Sequence, residues 1–277
     1  MLCFPNAKIN IGLHVVSRRG DGYHNIETVF YPIGLKDALE IIPLRSDAAV
    51  PEKEYLFFQS GIAIDGNEQA NLIIKALHLI KKKREIPGIE IHLLKKIPFG
   101  AGLGGGSSNA AFMLKLLNNK FRLNFTQDQL AMLAADLGAD CPFFLKNKPV
   151  FATGTGDKME DIDLNLEKYH FVLIKPDAVV NTGWAYSMIT PQKPEVSLRE
   201  LIKMPIDTWK DAIKNDFEVP IFKKYPEICK IKEQLYDLGA VYASMSGSGS
   251  SVFGFFNEIP EIGSKFSNHF IWTNEEL

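Results

Sequence analysis

Cysteine is scarce in this chain of 277 residues: Cys3, Cys141 and Cys229 stand far apart, odd in number and without a C-x-x-C pair. That spacing excludes a disulfide scaffold and gives no support to a zinc cluster. Charge of one sign is lacking too, since 31 Lys and Arg meet 33 Asp and Glu for a formal net charge of −2. Without a basic excess, nucleic acid is not an expected partner. The run Lys81-Lys82-Lys83-Arg84 closes an amphipathic helix, where cations suit the dipole, and reads as a solvated face. No apolar run reaches 18 residues, and no charged n-region precedes an apolar h-region at the N-terminus. Neither a membrane span nor a secretory leader is therefore expected, and the default location is cytoplasmic. A P-loop of the form G-x-x-x-x-G-K-[ST] is missing as well.

What is present is an ordinary globular composition, 46% hydrophobic and 23% charged, on a length that suits two compact domains or one large one. The most informative stretch runs from Pro98 to Leu117. Gly100, Gly102, Gly104, Gly105 and Gly106 let the backbone turn N–H groups toward one point, as a phosphate cradle requires. Ser107 and Ser108 stand where an N-cap is expected, and Ala110, Ala111, Met113, Leu114 and Leu117 follow at helical spacing. A loop that feeds a helix N-terminus favours an anion. Two other readings stay open on pattern alone: a flexible linker, and a dinucleotide loop, since Gly100, Gly102 and Gly105 satisfy G-x-G-x-x-G. The second wants an acidic residue about 20 positions further on, and the stretch from Asn118 to Asn124 offers none.

Taken in order, Cys3 to Val15 reads as a strand with Ile9, Ile11 and Leu13 on one face and Asn6, Lys8, Asn10 and Gly12 on the other, a polar face suited to line a cleft. Tyr23 and His24 follow a glycine turn and fit a turn-flanking role equally well. Ile26 to Ile42 is apolar and strand-rich, Pro43 to Glu54 an irregular excursion, Gln69 to Arg84 a helix, and Ile89 to Ile97 a strand that delivers the chain to Pro98. Thr126 and Gln129 form a capping box with a Phe125–Leu130 staple, and Gly138 ends that helix. Asp140 then falls just past a helix C-terminus, the unfavourable end for a carboxylate. A glycine turn at 154–157 and an acidic stretch from Lys158 to Glu167 suggest a domain junction. Beyond it a strand is predicted at Tyr169 to Ile174, helices over Thr182 to Ile189, after Ser197, over Asn215 to Phe222 and over Tyr225 to Leu238, and two strands around Met245 to Ser250. A helix near Glu261 to Asn268 and a strand near Ile271 complete a β-α-β-β-α-β order.

Three pieces, Asn6-Ala7-Lys8-Ile9-Asn10, the loop from Pro98 to Ala111 and Ser246-Gly247-Ser248-Gly249-Ser250, together resemble the motifs of the GHMP small-molecule kinases. Asp21-Gly22-Tyr23-His24 and Leu137-Gly138-Ala139-Asp140-Cys141-Pro142-Phe143-Phe144 extend the resemblance over nearly the whole chain. It implies an α+β, two-domain GHMP kinase fold: an N-terminal domain over 1–157 like the second domain of ribosomal protein S5, a ferredoxin-like C-terminal domain over 158–277, and an active site between them. The implied reaction moves the γ-phosphoryl of ATP to the 2-hydroxyl of 4-diphosphocytidyl-2-C-methyl-D-erythritol, a step of non-mevalonate isoprenoid precursor synthesis.

The resemblance also implies roles. Asp140 takes the acceptor's proton and Lys8 keeps that carboxylate ionised, while Tyr23 stacks on cytosine, His24 bonds its edge and Asn10 approaches the methylerythritol end. Thr182 and Tyr186 form the opposite wall, a tyrosine standing where phenylalanine is common. ATP falls to Pro98, Gly100, Ala101, Gly102, Leu103, Gly104, Gly105, Gly106, Ser107 and Ser108, with Gly247 and Ser248 from the second loop and Asn71 and Lys95 on the adenine and ribose side. Mg²⁺ is expected with ATP, held by its phosphates, water and a serine, because no dedicated carboxylate stands out. The competing readings are another GHMP kinase of homoserine or mevalonate type, a nucleotide-binding oxidoreductase, and an RNA-binding protein. Monomer and homodimer are both compatible with the sequence.

Overall fold

The computed structural model describes residues 1–44, 54–63, 67–263 and 265–275. Most of the excursion expected between Pro43 and Glu54 lies outside the described residues. Strands β1 (Leu2–Cys3), β2 (Asn6–Arg18), β3 (His24–Lys36), β4 (Ala38–Pro43) and β5 (Tyr55–Gly61) come first, then helix α1 (Leu72–Lys81) and strand β6 (Ile89–Lys95). Helices α2 (Gly105–Phe121), α3 (Gln127–Leu137) and α4 (Cys141–Lys146) follow, and then β7 (Val150–Thr153), β8 (Lys158–Asp161) and β9 (His170–Lys175). The remainder comprises α5 (Thr182–Ser187), α6 (Leu198–Leu201), α7 (Trp209–Ala212), α8 (Glu218–Lys224), α9 (Pro226–Asp237), β10 (Tyr242–Met245), β11 (Val252–Phe256) and β12 (Phe270–Thr273).

Packing divides the chain into two compact units, and the chain passes between them several times. Unit 1 comprises Met1–Ala7, Gly34–Phe99 and Gly104–Asn147; unit 2 comprises Lys8–Ile33, Gly100–Leu103 and Lys148–Leu277.

Unit 1 carries a sheet in the order β1-β4-β6-β5, with β5 parallel to β6 and the other pairs antiparallel. Helix α1 buries Ile73, Ile74, Ala76, Leu77 and Ile80, the isoleucines and leucine each worth roughly 1.5–3 kcal/mol of hydrophobic stabilisation. It starts later than the periodicity suggests. Asn71 takes an extended conformation and its side chain accepts from Ile73 N, so Glu68–Ala70 forms a separate 3-10 turn. Helix α3 has the expected capping box: Thr126 Oγ1 accepts from Gln129 N at 3.3 Å, and Gln129 Oε1 accepts from Thr126 N at 3.0 Å.

On α4 the fully buried Cys141 thiol has its pKa pushed from 9.0 to about 11, chiefly by burial. The unfolded chain therefore ionises this thiol first as pH rises. Its contribution to stability is complete below pH 9.0 and is lost as pH climbs through about 11. Urea denaturation at pH 8, 10 and 11 is expected to show a steeper loss for the native chain than for Cys141→Ala, by on the order of 2 kcal/mol. Parallel losses would mean that the folded thiol titrates normally.

Unit 2 contains two sheets, β2-β3-β7-β8 and β10-β11-β9-β12. The second is antiparallel throughout and has the strand order of a ferredoxin-like layer. Alternation gives it two faces. Val172, Ile174, Ala243, Met245 and Val252 share a core with Ile228, Ile231 and Leu235 of α9. The other face stacks rings, with Phe171 against Phe253, Phe255 and Trp272.

Residues 158–161 of the acidic stretch form β8, paired with β7 from Thr153↔Lys158 to Val150↔Asp161. The glycine turn between them is held by Asp157 Oδ1, which accepts from Thr155 N at 2.8 Å. No helix forms over the described residues of 261–268, which are loop and turn. Gly263 has a positive φ of 53°, and Ile262 and Phe266 are anchored in the core without it.

Candidate active site

In unit 1 the glycine stretch delivers a helix N-terminus whose cap uses no side chain. Gly104 is the N-cap, left-handed at φ 67° and ψ 16°, with no side-chain capping bond. Ser107 and Ser108, expected at the cap, instead lie inside the first turn of α2. The helix begins early because Gly105 packs where a Cβ would come within 2.9 Å of Ile97 Cγ2 and 3.0 Å of Lys95 Nζ. First-turn N–H groups without a side-chain cap suit an anionic ligand. Ser108 is fully buried and its hydroxyl has no hydrogen-bond partner among the described residues, while the Ser107 side chain hydrogen-bonds the Cys141 thiol.

Beside that helix start lies a cavity of about 470 Å³ lined by Phe57, Asn71, Leu72, Lys95, Phe99 and Gly106 among others. Asn71 and Lys95, both nominated from sequence, thus share one cavity with part of the glycine stretch. The Lys95 ammonium is already engaged, because Nζ donates to Asp37 Oδ2 at 2.5 Å with both side chains almost wholly buried. Burial lowers the Lys95 pKa, against the raising effect of Asp37. Asp37 also accepts from Lys96 N at 2.7 Å, Ile97 N at 2.8 Å and Asn109 Nδ2 at 2.9 Å. Four donors on one carboxylate pin the residues immediately before Pro98 to the body of α2. Phe99 is 64% exposed and offers a bare ring at the cavity wall.

Asp140 corrects the electrostatic reading of its position. It stands at the N-cap of α4, with Pro142 in the first turn, so the helix ahead of it presents the end that favours a carboxylate. Its side chain makes no capping bond to that helix.

Unit 2 assembles a second set. Lys8 and Asn10 are both buried, at 4% and 2% exposure, so their polar side chains on β2 are enclosed. Lys8 Nζ donates to Asn10 Oδ1 at 2.5 Å and sits 4.6 Å from the Phe30 ring centroid. Asn10 Nδ2 donates to Thr28 Oγ1 at 2.9 Å, which fixes the amide's orientation. Ser246 joins three sequence-distant segments: its Oγ accepts from Asn10 N at 3.1 Å and donates to Gly102 O at 2.8 Å. Lys8 N donates to Leu103 O at 3.0 Å, and Ser251 N to Ala101 O at 3.3 Å. Gly102, at φ 75°, makes this approach possible, since a Cβ there would lie 2.0 Å from Ser246 O. Lys8, Asn10, residues 101–103 and the loop at Ser246 to Ser250 are therefore one local structure.

Tyr23 is 67% exposed, and its N–H donates to Asp21 Oδ1 at 3.1 Å in a turn that presents the ring to solvent. His24 stacks on Tyr186 with centroids 4.9 Å apart and planes 16° from parallel, and Tyr186 meets Phe217 edge-on at 4.8 Å. Thr182 Oγ1 lies 2.9 Å from Ser248 Oγ. The two segments of the expected base pocket thus meet, as do α5 and the second loop. A larger cavity of about 660 Å³ in unit 2, with the His14–Asp216 pair at 3.1 Å in its lining, contains none of the residues nominated from sequence.

Sequence reasoning missed Asp37, Asn109 and Asn215. Asp37 had a signal: a lone carboxylate inside the apolar stretch from Ile26 to Ile42 requires a buried partner. Among the described residues no group of three or more His, Cys, Asp or Glu is arranged to hold a metal ion.

The family model for the GHMP kinases N terminal domain matches residues 71–148, and that for the GHMP kinases C terminal region matches residues 197–271. A protein of Parabacteroides distasonis named 4-diphosphocytidyl-2-C-methyl-D-erythritol kinase is 54% identical over 277 residues, covering 99% of each chain. A protein of the same name from Cytophaga hutchinsonii is 46% identical over 94% of each chain. Among solved structures, a 4-(cytidine 5'-diphospho)-2C-methyl-D-erythritol kinase superposes with a TM-score of 0.80 at 30% identity, covering 99% of this chain and 98% of the other. The Methanococcus jannaschii mevalonate kinase, with a TM-score of 0.63 at 18% identity over 99% and 97%, shares the fold.

Proposed function

This chain belongs to the GHMP kinase family, and from that membership we infer that it transfers the γ-phosphoryl group of ATP to the 2-hydroxyl of 4-diphosphocytidyl-2-C-methyl-D-erythritol, giving the 2-phosphate and ADP for isoprenoid precursor synthesis. The observation that carries this assignment is the 54% identity, along essentially the whole of both chains, to a protein of that name. An α-helix start capped only by glycine beside a nucleotide-sized cavity supports it independently.

In the proposed reaction the acceptor's 2-hydroxyl oxygen bonds to the γ-phosphorus, the bond to the bridging β–γ oxygen breaks, and ADP leaves. Asp140 receives the hydroxyl proton as general base, and Lys8 supplies positive charge to the same chemistry. The backbone from Pro98 to Ser108, together with Gly247 and Ser248, cradles the phosphates, and Asn71 and Lys95 flank adenine and ribose. Mg²⁺, when bound with ATP, neutralises charge on the phosphate oxygens. Its holders would be those phosphates, water and a hydroxyl of Ser107 or Ser108. The buried Ser108 Oγ, without a hydrogen-bond partner among the described residues, fits that use, and among those residues no carboxylate cluster competes for it. On the acceptor side Asn10, Tyr23, His24, Thr182 and Tyr186 form the base and methylerythritol pocket. An N-terminal kinase domain over 1–157, a C-terminal one over 158–277 and a cytoplasmic location complete the proposal. No helix among the described residues is long and apolar enough to cross a membrane.

Purified protein given ATP and Mg²⁺ is expected to release ADP with the cytidine diphosphate acceptor at a kcat/KM ~10⁴-fold above that with mevalonate or homoserine. Comparable rates with either would replace the substrate assignment. Tyr23→Ala is expected to raise the acceptor KM roughly tenfold, since a stacked base is worth about 1–3 kcal/mol, and to leave the ATP KM within about twofold. Equal rises in both would remove Tyr23 from the base pocket.

A further inference from the structure

Residues Asn215 to Glu218 carry no motif and no role in the chemistry above, yet all four side chains are committed. Asn215 is 2% exposed and pairs in a single parallel bridge with Leu13 of β2. Both protons of its amide are used: Nδ2 donates to Met245 O at 2.8 Å and to Gly247 O at 2.8 Å. Its Oδ1 accepts from Phe217 N at 3.0 Å, which fixes the amide against rotation. Glu218 holds the end of β10 that leads into the loop, with Oε1 accepting from Met245 N at 2.9 Å and from Ser244 Oγ at 3.2 Å. The backbone around Asn215 is sewn to β2, because Leu13 N donates to Lys214 O at 2.9 Å and Asp216 N to Leu13 O at 2.8 Å. Asp216 Oδ2 adds a bond from Val15 N at 2.7 Å.

A loop that receives phosphate must present N–H groups and turn its carbonyls away. Because a trans peptide is planar, drawing Gly247 C=O toward Asn215 points the Ser248 N–H in the opposite direction. No other neutral side chain of this size offers two donors on one nitrogen together with an acceptor. Aspartate at this position would set a carboxylate against two carbonyls, and serine would leave at least one of them without a partner.

We propose that Asn215 is a positioning residue of the phosphoryl transfer: its amide sets the direction of the Ser246–Ser250 peptides relative to the strand bearing Lys8 and Asn10, and it touches no substrate itself. This rests on the kinase reading given above.

The test compares native chain, Asn215→Asp and Asn215→Ser in steady-state kinetics and in amide hydrogen exchange. Both variants are expected to lose ~10²-fold in kcat and to keep the acceptor KM within about twofold. Exchange in peptides covering 246–250 is expected to quicken about tenfold, with protection of β9, β10 and β11 unchanged. An unchanged kcat overturns the proposal. So does loss of protection across the whole sheet in both variants, because general destabilisation would then account for the inactivity. A native chain that turns over no acceptor sinks the kinase reading instead, and the exchange comparison still decides what Asn215 does to the loop.

Discussion

Asp140→Asn is expected to lower kcat by ~10²- to 10⁴-fold, the usual worth of a positioned general base, while nucleotide affinity stays within about twofold. The substitution keeps the size and shape of the side chain and exchanges a carboxylate that can take a proton for an amide that cannot. It is also mild toward the fold. Asp140 occupies the N-cap position of α4, where asparagine and aspartate serve equally well, so the thermal midpoint is expected to move by no more than about a degree or two. Separating the two readouts matters, because catalytic loss with full stability points to chemistry, whereas loss of both points to the helix. Single-turnover measurement with ATP in excess isolates the phosphoryl step from product release. An unchanged single-turnover rate would remove Asp140 from the role of base and leave transfer to positioning and charge neutralisation alone.

Asp140 also illustrates which parts of the site are legible in a sequence. Local grammar reads well where both partners of an interaction lie within one turn. The Thr126–Gln129 box and the Pro226 start of α9 are of this kind. The same grammar fails by looking in one direction only. Asp140 was judged by the helix behind it, although Pro142 two residues on marks the start of another. Ser107 and Ser108 look like caps because serine prefers that position, but the close approach of Gly105 to Ile97 and Lys95 starts the helix earlier. The helix expected near Glu261 is lost because two buried side chains hold that stretch without one.

Interactions across long separations leave almost no local trace. The Ser246 bond to Gly102 O spans 144 positions, and the Asn215 bond to Gly247 O spans 32. Neither serine nor asparagine is unusual in a loop, so only the folded backbone reveals that these two are buried junctions. The motif resemblance located the loops correctly as sequences. It said nothing of how their carbonyls are tied, and those ties decide which groups remain available to a ligand.

Asp37→Ala is expected to cost about 3–5 kcal/mol of folding stability, because it strands a buried ammonium rather than merely removing a contact. Lys95 is only 2% exposed, so its ammonium relies on Asp37 rather than on solvent. Lys96 N, Ile97 N and Asn109 Nδ2 would lose their acceptor at the same time. The double variant Asp37→Ala/Lys95→Met distinguishes charge from packing: an apolar side chain of similar length removes the stranded charge, and the double variant is expected to be more stable than Asp37→Ala alone. Equilibrium urea denaturation of the native chain, both single variants and the double variant gives the coupling directly. A functional consequence accompanies the structural one. Lys96 and Ile97 lead directly into Pro98, and their N–H groups hold the entry to the glycine stretch against Asp37. With the carboxylate gone, the ATP KM of the double variant is expected to rise above that of Lys95→Met alone even where stability recovers, since hydrophobic replacement restores the core without restoring the two backbone anchors. Recovery of both stability and ATP KM would mean that the network serves the fold of unit 1 alone and that the glycine stretch is positioned by Gly105 and its own turns.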